Sequence, residues 1–127
     1  MILGIGTDIV TVARIEAAMA RHGADFAARI LSAQELEEFA TQAHPAHFLS
    51  KRFAAKEALA KATGHGLRQP VSLHGITVSH DTLGKPVFLF DEELTTYLQR
   101  QGVTRHHLSI SDERDVAVAF VILEAGS

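Results

Sequence analysis

Apolar residues along this chain switch between two spacings, and the switches mark out a mixed fold. "MILGIGTDIV" opens as a short apolar strand. Gly4 and Gly6 weaken it and point to a bend or a close backbone approach, and Asp8 falls where the strand gives way to the next element. In "TVARIEAAMARHG", Val12, Ile15, Met19 and His22 recur at helical spacing and Gly23 supplies a C-cap. "ADFAARIL" reads as a second helical stretch. Ser32 with Glu35 three residues on is a capping-box signature for "SAQELEEFA". Pro45 then starts a helix that closes at Gly64-His65-Gly66.

The second half reads mainly as strands. "SLHGITVSH" and "KPVFLF" are joined by a turn at "DTLG". "DEELTTYLQRQG" is a helix whose first-turn acids suit its dipole, with Gly102 after its end. "HHLSIS" and "DVAVAFVILE" form a hairpin through "DERD", and Val116 to Leu123 is apolar on both faces, which predicts a central strand. The order β-α-α-α-β-β-α-β-β gives an α+β fold, a mostly antiparallel sheet packed against helices. We read residues 1–127 as one domain.

The mid-chain helix breaks the usual pattern. In "SKRFAAKEALAKATGHG", residues 50–66, polar groups surround the axis instead of keeping to one side. At 100° per residue, Ser50, Ala54, Glu57 and Lys61 share one stripe while Arg52 and Lys56 lie on another. Apolar residues occupy the sides between, and five alanines allow close packing. The pattern predicts a helix wedged between other elements with its polar residues facing a cleft. Two bland readings stand beside this one. Glu57 and Lys61, four apart, form a favourable surface pair worth about 0.2–0.5 kcal/mol. Asp8 suits a helix cap or turn.

Composition narrows the chemistry. The sequence has no cysteine, which removes disulfides, thiolate metal sites and thiol nucleophiles and fits a reducing cytoplasm. There is no signal-peptide pattern and no apolar run of membrane length, so no membrane partner is expected. A net charge of −3 gives no reason to expect nucleic acid, and any acidic partner must meet a local basic patch. His44 and His47, three apart beside Pro45, make a poor zinc pair. Gly4-Ile5-Gly6 and Gly64-His65-Gly66 each lack the third glycine of a dinucleotide fingerprint.

Taken together, "GIGTDIVTVARIEA", "KRFAAKEALAKATGHG", "LGKP" and "HLSISDERDVAVAFVILE" resemble the bacterial holo-acyl-carrier-protein synthases, the small 4′-phosphopantetheinyl transferases, nearly end to end. The resemblance implies transfer of 4′-phosphopantetheine from coenzyme A to a serine of apo-acyl carrier protein, releasing adenosine 3′,5′-bisphosphate. It implies an Mg²⁺ site on Asp8 and Glu57, and a phosphate-binding lysine at Lys61. Mg²⁺ takes oxygen ligands, typically one or two carboxylates plus substrate phosphates and water. Glu57 is the expected acceptor of the serine proton, ahead of Asp8.

For coenzyme A, the resemblance points to Arg52, Lys61, Gly64, Gly66, Lys85, Pro86, His107 and Ser109. The Gly64 and Gly66 amides are expected to approach its phosphates. Strand alternation sends His107, Ser109 and Ser111 to one face and His106 to the other. Many relatives carry a second histidine where this chain has Asp112. Arg14 and Arg21, seven apart and nearly in line on the first helix, match basic positions that dock the acidic carrier. The family is typically trimeric, with active sites between subunits, and its carriers serve fatty-acid or other synthases. A carrier-binding module without catalysis is the alternative, opposed by the retained Asp8, Glu57 and Lys61. A phosphohydrolase would instead cleave coenzyme A without a protein acceptor.

Overall fold

The computed structural model describes residues 1–126. Its elements are β1 (Ile2–Thr11), α1 (Val12–His22), α2 (Ala24–Ile30), α3 (Ala33–Phe39), α4 (Pro45–Thr63), β2 (Ile76–His80), β3 (Pro86–Phe90), α5 (Glu92–Arg100), β4 (Arg105–Asp112) and β5 (Val116–Glu124). Four helices precede β2. All four helical stretches named in the sequence are present, residues 24–30 among them, set off from α1 by Gly23 at φ +61°, and the order read from the sequence counted one too few. The capping box at Ser32 and Glu35 forms as expected, and Pro45 opens α4.

The strands form two antiparallel sheets, β1-β5-β4 and β2-β3. β5 is central, as its apolar run predicts, and its Ala117, Ala119, Val121 and Leu123 are buried. β2 is shorter than "SLHGITVSH". Ser72 bonds the Gly75 amide through both its carbonyl and its hydroxyl, so residues 72–75 turn before the strand begins. β1 is longer than expected and runs through Asp8 to Thr11, with Asp8 opposite Ala119.

α4 crosses the inner face of the β1-β5-β4 sheet. A Cβ on Gly4 would run into the Ala62 carbonyl oxygen, and one on Gly6 into the Ala58 carbonyl oxygen. These two bare positions let the helix backbone rest directly on β1, with Ala58 and Ala62 at the contact. The close approach expected from the sequence is real, and its partner is α4.

The polar circumference of α4 has a second cause. Arg52 and Lys56 point into the interior and meet Glu35, which is 0% exposed. Lys56 Nζ donates to Glu35 Oε1 at 2.6 Å and to the carbonyls of Ile30 and Leu73 at 2.7 and 2.9 Å. Arg52 donates to Glu35 Oε2 at 3.3 Å, to Glu38 at 3.0 Å and to the Val78 carbonyl, and stacks on Phe48. Glu35 also accepts from the amides of Ser32 and Val78. The counter-charge missing from the helix therefore comes from α3. Arg52, expected to bind coenzyme A, is only 6% exposed and committed to these partners. It leaves the expected ligand set, because burial in this network gives its guanidinium no open side. The two basic residues face α3 and β2 and not the expected cleft.

Among the described residues, the outer face of the same sheet leaves apolar side chains uncovered. Ile5 and Ile9 of β1 are 60% and 65% exposed, and Phe120 of β5 is 41% exposed. Cross-strand register sets Ile5 beside Ile122 and Ile9 beside Val118.

Candidate active site

Strand alternation puts Asp8 on the same face of β1 as Gly4 and Gly6, the face that meets α4. The glycine contact therefore draws the Glu57–Lys61 stripe toward Asp8. Lys61 Nζ sits 2.9 Å from Asp8 Oδ1 and 3.1 Å from the Thr7 carbonyl oxygen. The helix pair expected between Glu57 and Lys61 is not among the ion pairs of the described residues; the lysine reaches across to β1 instead. Glu57 is half-buried, and that burial raises its carboxyl above the ordinary value. The nearby Asp8 charge pushes the same way, while Lys61 and Arg14 oppose it. Two carboxylates distant in sequence thus feel each other, with a cation bridging to one of them.

Asp8 and Glu57 offer only oxygen donors, and both are partly exposed. They fit a hard divalent ion that keeps other positions for water or substrate oxygens. Among the described residues no cluster of three or more His, Cys, Asp or Glu side chains could build a fully protein-made metal cage. Two carboxylates alone are what a shared protein–substrate site requires.

Arg14 and Arg21 line one groove with Ile15, Phe26 and Phe53, where α1, α2 and α4 meet. Arg14 also lies within electrostatic reach of Glu57, so this basic groove leads toward the carboxylate pair.

Lys85, Pro86, His107 and Ser109 come together as well. They line a groove of about 400 Å³ between the β2-β3 hairpin and β4, with Phe120 and Ile122 as apolar wall. His107 Nε2 lies 2.9 Å from Glu124 Oε1, which Arg105 also contacts at 3.0 Å. The bond to His107 is the main reason the Glu124 carboxyl lies below its ordinary value. His106, on the opposite face as alternation predicts, is half-buried between Phe88 and Phe90. Glu124, His106 and Glu35 carry no motif of their own. Only the capping-box position of Glu35 singled it out, and as a cap.

The Gly64-His65-Gly66 loop behaves differently from the expectation. Gly64 and Gly66 have φ of +75°, and their amides donate to the carbonyls of Lys61 and Ala60. The His65 amide donates to Thr63 Oγ1 at 3.0 Å. The loop is a helix C-cap whose N–H groups are already used, so it holds no free amides for phosphate oxygens. Asp112 lines a separate pocket with His44, His47 and Lys51.

A model of the 4′-phosphopantetheinyl transferase superfamily matches residues 4–121. A holo-[acyl-carrier-protein] synthase of Nitrosospira multiformis is 60% identical over 124 residues, covering 98% of this chain and 99% of the relative. Among solved structures, a holo-[acyl-carrier-protein] synthase from Neisseria meningitidis superposes with a TM-score of 0.95 at 50% identity, covering 98% of this chain and 99% of that one. A holo-(acyl-carrier-protein) synthase from Bacillus anthracis in complex with CoA (3′,5′-ADP) superposes with a TM-score of 0.82 at 36% identity, covering 99% of both chains.

Proposed function

We propose, from the premise that the chain belongs to the 4′-phosphopantetheinyl transferase superfamily and within it to the holo-[acyl-carrier-protein] synthases, that it moves 4′-phosphopantetheine from coenzyme A to a serine of an apo-acyl carrier protein. The observation that carries the reading is the Lys61–Asp8 ion pair, which ties the α4 stripe that also bears Glu57 to β1.

In this reading Asp8 and Glu57 hold Mg²⁺, which neutralises charge on the diphosphate when bound. The serine oxygen bonds to the phosphorus nearer the pantetheine. The bond to the bridging oxygen breaks, and adenosine 3′,5′-bisphosphate leaves with that oxygen. Glu57 takes the serine proton, directly or through a water. Lys61 swings from Asp8 to a phosphate oxygen, a short movement for a side chain that is half exposed. Little covalent work falls to the protein, so positioning and charge carry most of the catalysis.

Arg14 and Arg21, with Phe26 and Phe53 between them in one groove, suit an acidic amphipathic helix of the carrier. The Lys85-Pro86-His107-Ser109 groove suits the adenosine and phosphate end of coenzyme A. The two halves lie apart in one copy: Asp8 on β1 and His107 on β4 flank the central β5. A homotrimer that sets the β1 edge of one copy beside the β4 groove of the next would unite them. The uncovered Ile5, Ile9 and Phe120 supply apolar area for that contact.

Mass spectrometry of an apo-carrier incubated with this protein, coenzyme A and Mg²⁺ tests the reading. The carrier is expected to gain one phosphopantetheine, and to gain none when EDTA replaces Mg²⁺. An unmodified carrier beside intact coenzyme A would leave a binding module; free bisphosphate with an unmodified carrier would indicate a hydrolase.

A further inference from the structure

The β2-β3 hairpin and the β1-β5-β4 sheet share no strand ladder. Where they adjoin, the Phe88 amide of β3 donates to the Nε2 of His106 on β4 at 3.0 Å. The imidazole thus takes the place that a neighbouring strand's carbonyl would fill. The rings of Phe88 and Phe90 lie against it, each with centroids 5.4 Å away. Pro86 stands two residues before Phe88 on β3, Lys85 lies in the turn just ahead of it, and His107 and Ser109 follow His106 on β4. The joint therefore lies directly behind the groove that these four residues line.

We propose that His106 is a positioning residue: as a neutral imidazole it fixes the hairpin against β4, and so sets the spacing of Lys85 and Pro86 from His107 and Ser109 on which coenzyme A binding depends. This rests on the assignment of that groove to coenzyme A. An Nε2 that accepts from an amide carries no proton, so protonation there removes the acceptor and sets a cation against the Phe88 N–H. Burial lowers the pKa of His106, and the charges of His107 beside it and Lys85 on the hairpin add to the effect. From β5 it is opposed in register by Leu123, and from β3 the rings of Phe88 and Phe90 lie against it. The joint is thus closed at neutral pH and opens on acidification, below the ordinary histidine range of about 6.5.

The test needs no turnover. Calorimetry measures coenzyme A affinity from pH 7.5 to 5.0 in the wild type, His106→Gln and His106→Leu. Glutamine offers a non-titrating oxygen near the position of Nε2; leucine keeps bulk without an acceptor. At pH 7.5, the leucine variant is expected to bind roughly two- to tenfold more weakly, the worth of one net hydrogen bond, and the glutamine variant near the wild-type value. On acidification the wild type should lose a further factor of that size relative to glutamine. NMR of the free protein gives a second readout: the Nδ1–H tautomer of His106 at neutral pH, and a Phe88 amide shift that follows the His106 titration. Parallel pH profiles for wild type and glutamine, wild-type affinity in the leucine variant, or an Nε2–H tautomer would each overturn the proposal. If leucine does not fold, the glutamine profile and the tautomer still decide it. A wild type that binds no coenzyme A at any pH would sink the groove assignment, and this proposal with it, whereas the tautomer reports on the joint alone.

Discussion

Glu35 is where the fold is most exposed to a single change. Its carboxylate accepts from Lys56 at 2.6 Å, from Arg52 at 3.3 Å and from two backbone amides, all away from water. Glu35→Leu keeps an apolar side chain of similar reach but leaves Lys56, at 0% exposed, with only two carbonyl partners. Breaking a buried pair from one side costs about 3–5 kcal/mol. For a chain of this length that is a fall in Tm of roughly 10–20 °C. Lys56→Met should cost less, because Arg52 still faces Glu35. The double variant should lose less than the sum of the two, with a coupling of about 2 kcal/mol. Urea denaturation of the four proteins at pH 7 supplies the cycle. Burial alone would raise the Glu35 carboxyl, but the Lys56 charge and its hydrogen bonds outweigh that and lower it. An acid lowered in the folded state stabilises above its unfolded value of about 4.5 and loses that contribution as pH falls through the folded value. The wild type should therefore shed stability below pH 4.5 more steeply than Glu35→Leu. A loss under about 1 kcal/mol for Glu35→Leu at pH 7, or additive single variants, would refute the clamp.

Glu57 carries the opposite sign. Its carboxyl is raised in the folded state, so its contribution to stability is present below the unfolded value and lost as pH rises through the folded one. Glu57→Gln should thus raise the metal-free Tm at pH 7.5, by about 1–3 °C, while phosphopantetheine transfer falls at least a hundredfold; an unchanged turnover would remove Glu57 as proton acceptor. Gly6→Ala would drive a methyl into the Ala58 carbonyl and the Ala62 amide, and should cost about 1–3 kcal/mol or more in denaturation. Arg14→Ala and Arg21→Ala should raise KM for the carrier several-fold and flatten its salt dependence, with the calorimetric affinity for coenzyme A unchanged.

Much of this architecture is legible in the sequence, because the segments are short and strongly punctuated. Ser32 with Glu35, Pro45, Gly64 and the apolar run of β5 all act where their residue types predict. What escapes is tertiary. The sequence shows that Arg52 and Lys56 lack partners on their own helix. It cannot show that α3 brings Glu35 between them, so both read as facing a cleft, and the resemblance gives Arg52 to coenzyme A. Likewise Gly64 and Gly66 suggest an open phosphate cradle until the C-cap claims their amides. Asp8 and Glu57 could be paired only by resemblance; the physical cause, a strand without side chains at positions 4 and 6, appears once α4 is seen resting on it.

The separation of Asp8 and His107 to either side of β5 has a genetic corollary. If neighbouring copies pool their contributions, Asp8→Asn and His107→Ala lie in different complementation groups despite altering one short polypeptide. Co-folded in equal amounts, the two inert chains should regain about a quarter of native turnover, the share of junctions that inherit both intact halves by chance. Chains that act alone would regain none.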